Sequence, residues 1–264
     1  MKAIGVFDSG IGGLTVVKEL TRQLPYEDIV YLGDTARVPY GTKSESTIIR
    51  FTLENILFLL RQDVKFVVIA CNTASSIALE LVKKYFQIPI IGVIKPGAKE
   101  AARVTRNKRV GVIGTTATIR TAAYEAQLRK LDPGIKVTSC ACPLFVPLVE
   151  EGQRNPKIIF AAASQYLKPL KKAGVDTLIL GCTHYPLLKD YIRARTPEGI
   201  EFVEPARMLT EGPDAVCSMI GRGRRMTALR PCVTTALRMR SRTPRAARST
   251  RSWRRPGRFP PAMD

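Results

Sequence analysis

The 264 residues carry a formal charge of +20, from 42 Lys and Arg against 22 Asp and Glu. That length holds one large or two modest domains, each able to bury a core, while apolar stretches such as Asn55-Ile56-Leu57-Phe58-Leu59-Leu60 are far too short to cross a bilayer. So large a charge points first to nucleic acid, yet residues 221–264 hold 13 Arg, no Lys and one acid, Asp264, and supply +12 of it; the body is only moderately basic. Six cysteines (71, 140, 142, 182, 217 and 232) show no disulfide-framework spacing, and a reducing cytoplasm is expected. The start meets Asp8 without a basic and apolar leader, so no secretory signal is expected.

In chain order the pattern predicts a strand at 2–7, a helix at 13–24, a strand at 28–33 and a long helix at 45–61. A strand at 65–70 leads to Cys71, followed by a helix at 74–86 and a strand at 89–93. The plan then repeats: strand 109–113, helix near 119–131, strand 135–141, helix 156–173, strand 176–180, helix 186–195 and strand 201–203. Such alternation predicts α/β architecture with parallel sheets covered on both faces, and ligands in such sheets sit beyond the carboxyl ends of the strands.

Two echoes indicate an internal duplication. Lys2-Ala3-Ile4-Gly5-Val6-Phe7-Asp8-Ser9 resembles Lys108-Arg109-Val110-Gly111-Val112-Ile113-Gly114-Thr115, and Lys65-Phe66-Val67-Val68-Ile69-Ala70-Cys71-Asn72-Thr73 resembles Asp176-Thr177-Leu178-Ile179-Leu180-Gly181-Cys182-Thr183-His184. The offsets, 106 residues from Gly5 to Gly111 and 111 from Cys71 to Cys182, nearly agree. If the halves face each other, the cysteines oppose across one cleft, an arrangement suited to taking a proton from one face of a carbon and returning it to the other.

The local chemistry fits that idea. A lone buried Cys is usually a small hydrophobe, but two at matching strand ends, each before a helix, are expected to be drawn toward thiolate by the helix N-terminus. His184, the only histidine, stands two residues past Cys182 and can help move its proton. Asp8-Ser9-Gly10-Ile11-Gly12-Gly13 follows a strand and opens a helix, so its N–H groups could receive an anion. It lacks the Gly-Lys-Ser/Thr ending of a phosphate loop, and a carboxylate ligand fits equally well. Cys140 and Cys142 have no second pair nearby; they are expected to line a strand rather than hold zinc, and no metal site is expected.

These segments, together with Tyr31-Leu32-Gly33-Asp34-Thr35, Pro39-Tyr40-Gly41, Pro147-Leu148-Val149-Glu150 and Gly181-Cys182-Thr183-His184-Tyr185-Pro186, resemble the glutamate racemases of the cofactor-independent aspartate/glutamate racemase superfamily. The resemblance spans about residues 3–210. It implies two pseudo-symmetric α/β domains with the active site between them, and Cys71 and Cys182 as the catalytic acid and base. It further implies that Asp8, Ser9, Tyr40, Gly41, Asn72, Thr73, Thr183 and His184 contact glutamate, and that Asp8, Glu150 (with Glu151 beside it) and His184 assist proton transfer. No cofactor is implied. The expected activity is interconversion of L- and D-glutamate for peptidoglycan synthesis, hence cell wall and cell shape, by a cytoplasmic homodimer. A racemase of aspartate or another small acid is the alternative within the class.

The expected organisation is a first domain at 1–96, a second at 97–206, a partial return to the first at 207–220, and an Arg-rich, aperiodic tail at 221–264. That composition predicts disorder. It also supplies a different reading, a nucleic-acid binder acting non-specifically through the tail.

Overall fold

Apolar runs alternating with amphipathic ones give two parallel sheets of the same plan. The computed structural model describes residues 2–209, Val216 and the strand Ala236–Met239. In the first half β1 (Ala3–Asp8), α1 (Leu14–Gln23), β2 (Ile29–Gly33), α2 (Glu45–Arg61), β3 (Val64–Ile69), α3 (Asn72–Tyr85) and β4 (Ile90–Gly92) follow one another. The second half runs α4 (Ile94–Val104), β5 (Arg109–Gly114), α5 (Thr116–Arg120), α6 (Ala123–Leu131), β6 (Lys136–Ala141), α7 (Phe145–Glu150), α8 (Pro156–Ala173), β7 (Thr177–Gly181), α9 (Lys189–Arg193) and β8 (Glu201–Val203).

The strand orders β4-β3-β1-β2 and β8-β7-β5-β6 match element for element, and all these pairs are parallel. The duplication read from the sequence is therefore structural. Its glycines show why they recur: a Cβ on Gly5 would lie 3.2 Å from Leu59 Cδ1 of α2, and one on Gly111 would lie 2.9 Å from Leu170 Cδ2 of α8. Each lets the equivalent long helix press onto the equivalent central strand. Helix α8 has clear boundaries: the Asn155 side chain accepts the Lys157 N–H at 3.0 Å, Pro156 opens the first turn, and Gly174 ends it at φ 62°.

Several elements depart from the sequence reading. No element was expected between the strands at 89–93 and 109–113, yet Ile94-Lys95-Pro96-Gly97 begins α4. Proline is tolerated in a first turn, and Gly97 is needed because Pro205 Cγ would sit 2.9 Å from a Cβ there. This helix straddles the expected boundary at 96/97, yet Ile94, Ala98 and Ala101 pack in the second half's core with Val110, Val112 and Tyr124. The helix expected near 119–131 is two, broken at Ala122 with φ 49°. The one expected at 186–195 is a 3-10 turn, Tyr185–Leu188, followed by the five-residue α9. The short α7 went unread.

Past β8, Ala206, Leu209 and Val216 join Val16, Val17 and Leu20 in the first half's core, and Gln23 donates to the Arg207 carbonyl at 3.4 Å. Strand β9 (Ala236–Met239) pairs antiparallel with the edge strand β2. The rest of the tail, and the nucleic-acid reading that depends on it, lie outside the described residues. No helix among the described residues is long and apolar enough to cross a membrane.

Candidate active site

Parallel register delivers the site. Phe7 pairs with Ile69, and Gly114 pairs with Gly181, so Asp8 emerges beside Ala70-Cys71 in one sheet and Thr115 beside Cys182 in the other. Asp8 is fully buried. Its Oδ2 accepts the N–H groups of Gly10 (3.1 Å) and Gly13 (2.9 Å), and its Oδ1 accepts the Thr183 hydroxyl of the other half at 3.1 Å. The loop amides expected to receive an external anion are thus turned on the chain's own carboxylate. Gly13 permits this, since a Cβ there would fall 2.3 Å from Asp8 Cβ. Burial pushes the Asp8 carboxyl up, against the opposing pull of the His184 charge and of those three donors.

Cys71 caps α3. Its sulfur accepts the Ala74 N–H at 3.5 Å and lies 3.6 Å from the Ser9 hydroxyl. The helix N-terminus acts as expected from sequence, yet it does not prevail: burial pushes the thiol up to about 11, with the Asp8 charge adding and the Ala74, Ser9 and Thr73 bonds opposing. The expectation of a lowered pKa is corrected here, because removing the thiolate from water outweighs one helix terminus.

Cys182 precedes no long helix. Its sulfur is 3.7 Å from His184 Nδ1, and His184 Nε2 meets Glu150 Oε1 at 2.5 Å. Burial raises this thiol too; the His184 N–H opposes the rise and the charges of Cys71 and Asp8 add to it. The Cys71 charge acting on Cys182 places both sulfurs in one electrostatic environment. Glu150 reaches the site from α7, and its Oε1 also accepts the Ile11 N–H at 3.4 Å.

The halves touch directly around these groups. Thr73 Oγ1 lies 2.9 Å from Thr115 Oγ1 and 3.2 Å from Thr118 Oγ1, and Tyr124 donates to Asn72 Oδ1 at 2.6 Å. A Cβ on Gly41 would meet Thr115 Cβ at 2.4 Å, and one on Gly12 would meet Thr183 Oγ1 at 2.6 Å. Asp8, Ser9, Cys71, Asn72, Thr73, Glu150, Cys182, Thr183 and His184 therefore converge. Tyr40 is buried in the same core as Cys71, but its hydroxyl donates to Asp34 and accepts from Asn55 Nδ2 at 3.0 Å. Asp34 is gripped in turn by Arg37 Nε at 2.8 Å.

Thr115, Thr118 and Tyr124 were not singled out in the sequence. Thr115 was within reach, as the echo of Ser9; Tyr124 carries no local signal. Cys140 lies on β6 as expected, and Cys142 lies just beyond it. Cys140 is drawn down to about 7 by a hydrogen bond from Cys142, whose own thiol burial drives up. No group of three or more His, Cys, Asp or Glu among the described residues is arranged to hold a metal ion.

A buried pair of thiols at equivalent strand ends, with an aspartate and a histidine beside them, is a set of groups able to give and take protons. Residues 4–211 match the Asp/Glu/Hydantoin racemase family. The chain is 55% identical to the glutamate racemase of Geobacter metallireducens over 205 residues, 78% of this chain and 76% of that one. It is 50% identical to that of Enterococcus faecalis, over 73% and 70% of the two chains. Among solved structures, a glutamate racemase isoform from Bacillus anthracis aligns with TM-score 0.76 at 44% identity, over 78% of each chain. The Francisella tularensis glutamate racemase in complex with D-glutamate aligns with TM-score 0.73 at 45% identity, over 78% and 77%. The chain belongs to the Asp/Glu/Hydantoin racemase family and is an isomerase of the glutamate racemase kind, as the sequence motifs implied.

Proposed function

We propose that the chain interconverts L- and D-glutamate without a cofactor, by proton transfer through Cys71 and Cys182 on opposite faces of the α-carbon, and thereby supplies D-glutamate for peptidoglycan. The observation that carries this reading is the pair of buried thiols at matching strand ends, enclosed by direct contacts between the halves. Glutamate as substrate is favoured by the relatives' activity and by the D-glutamate complex of the Francisella enzyme. The cytoplasmic location and homodimer expected from sequence belong to the same reading.

In the working state one sulfur is a thiolate and the other a thiol. The thiolate takes the α-proton, the α-carbon becomes carbanionic, and the opposite thiol returns a proton to the other face. Burial, which makes the thiolate costly, also makes it a strong base once formed and strengthens every donor to the carboxylate. Ser9, Asn72 and Thr73 supply neutral side-chain donors, and Thr183, its hydroxyl proton taken by Asp8, contributes through its backbone N–H. Tyr40, its hydroxyl taken by Asp34, contributes with Gly41 through the backbone. On the Cys182 side His184 relays the proton, held by Glu150. Asp8, shielded by its three donors, orders the loop and sets the charge beside Cys71. Because the halves touch across the site, substrate entry requires them to part.

Following the circular dichroism of L-glutamate tests this directly. The wild-type signal should decay to zero, the signals of Cys71→Ala and Cys182→Ala should persist, and L-aspartate should be a poor substrate. Near-normal turnover in either variant would refute the two-thiol mechanism. Faster decay with L-aspartate would shift the substrate to the shorter acid.

A further inference from the structure

The residue after each cysteine is held by the opposite half. After Cys182, Thr183 spends its hydroxyl proton on Asp8 of β1. After Cys71, Asn72 is met by Tyr124, the second residue of α6, whose hydroxyl donates to Asn72 Oδ1 at 2.6 Å. The two grips differ in what they leave over. The first consumes a donor, whereas the second consumes an acceptor and leaves the Asn72 amide N–H groups with no acceptor among the described residues. A primary amide with its oxygen pinned must present its nitrogen the other way.

Tyr124 is placed for that task from both sides. It is 2% exposed, and its ring lies against two glycines: a Cβ on Gly181 would come 3.2 Å from its Cε2, and one on Gly97 would come 3.3 Å from its Cε1. Gly181 is the residue before Cys182. One side chain thus rests on the strand end that carries the second thiol and bonds to the residue that follows the first. Burial, with the Cys182 charge adding, keeps the phenol protonated, so it remains a donor throughout the working pH range.

We infer that Tyr124 is a positioning residue for the isomerase reaction: it fixes the Asn72 amide so that its N–H groups face the cleft as donors to a substrate carboxylate. This rests on the reading of Asn72 as a substrate contact. Without the phenol hydroxyl the amide can rotate and present its oxygen, which repels a carboxylate, so binding weakens while the thiols keep their places.

Steady-state kinetics on the full chain, with both glutamate enantiomers, test it in Tyr124→Phe, Asn72→Ala and the double variant. Tyr124→Phe should raise KM about tenfold for both enantiomers, the worth of one hydrogen bond to a well-placed group, with kcat held within about twofold. Added to Asn72→Ala it should raise KM no further. A packing role alone would lower the melting temperature without this split. An unchanged KM in Tyr124→Phe beside a raised KM in Asn72→Ala overturns the inference, as does a full additional KM effect in the double variant. An unchanged KM in Asn72→Ala itself would show that Asn72 does not bind substrate, and the positioning role would fall with it.

Discussion

Cys71 caps a 14-residue helix and takes an N–H from Ala74, whereas Cys182 leads into a four-residue 3-10 turn and leans on His184, which is held by Glu150. The strands beneath them are equivalent in order and direction. Duplication therefore preserved where the sulfur stands and changed what surrounds it. The first half relies on fixed backbone donors, which stabilise a thiolate but cannot carry a proton away. In place of the long helix the second half has His184 beside its sulfur, held by Glu150, the proposed relay. Both thiols are raised by burial, so in neither half do the nearby donors offset the removal of the sulfur from water.

The largest expected effect removes one side entirely. Cys71→Ala and Cys182→Ala should each lose racemisation by more than about a thousandfold, as expected for an acid or base with no substitute. In heavy water, exchange of the α-hydrogen with solvent should be confined to one enantiomer in each variant, and to opposite enantiomers in the two. Proton NMR reads both quantities. Exchange of the same enantiomer in both variants would mean that the sulfurs do not address opposite faces, and the comparison would collapse.

Next in size is the relay. His184→Asn should lower kcat/KM by about a hundredfold, and Glu150→Gln by less, since it acts through the histidine. The enantiomers have equal free energy, so kcat/KM must fall by the same factor in both directions. Any difference between the sides must appear in kcat, measured separately from L- and D-glutamate. A His184→Asn enzyme with unaltered kcat/KM would show that the second thiol manages its proton without a relay.

Much of this was legible in the sequence. Strand ends, the paired cysteines and the duplication are local patterns, and Gly5 and Gly111 recur because each must admit a leucine from the equivalent helix. What escaped is tertiary. Helix α4 was missed because nothing local to Pro96-Gly97 reveals that Pro205 presses on Gly97. Glu150 could be matched to a family motif, but six residues of α7 are too few for a helical period. The direction of the thiol pKa shift was misjudged because a helix terminus can be read from neighbouring residues, while desolvation depends on the whole opposite half.

Wedging the halves apart should have a middling effect and can be applied to either side. Gly12→Ala drives a methyl toward Thr183 and His184 on the Cys182 side, and Gly41→Ala drives one into Thr115, which bonds Thr73 on the Cys71 side. Each should destabilise by about 1–3 kcal/mol, the usual range for an overpacked contact, and lower kcat/KM. Thermal unfolding alongside kinetics separates the two losses. Wild-type activity in Gly12→Ala would show that the close contact on the relay side is dispensable in turnover.

The smallest effect concerns alkaline stability, where the two sides should look alike. The folded Cys71 thiol releases its proton near about 11, whereas in an unfolded chain a cysteine does so near about 8.5. Between those values the unfolded chain binds fewer protons, so stability falls as pH rises, by up to about 1.4 kcal/mol per pH unit for one such group. Below the lower value the contribution is complete and flat. Cys182, also raised by burial, obeys the same sign. Urea unfolding at pH 8, 9 and 10 should therefore show a declining midpoint for the wild type. The slope should be shallower in Cys71→Ala and in Cys182→Ala, because burial keeps both thiols protonated in the folded chain at pH values where the unfolded chain has lost those protons. An unchanged slope in Cys71→Ala would mean that this thiol ionises as readily folded as unfolded. In that case α3 and Ser9 fully offset its burial, and the division of labour between the halves is sharper than the burial of the two sulfurs implies.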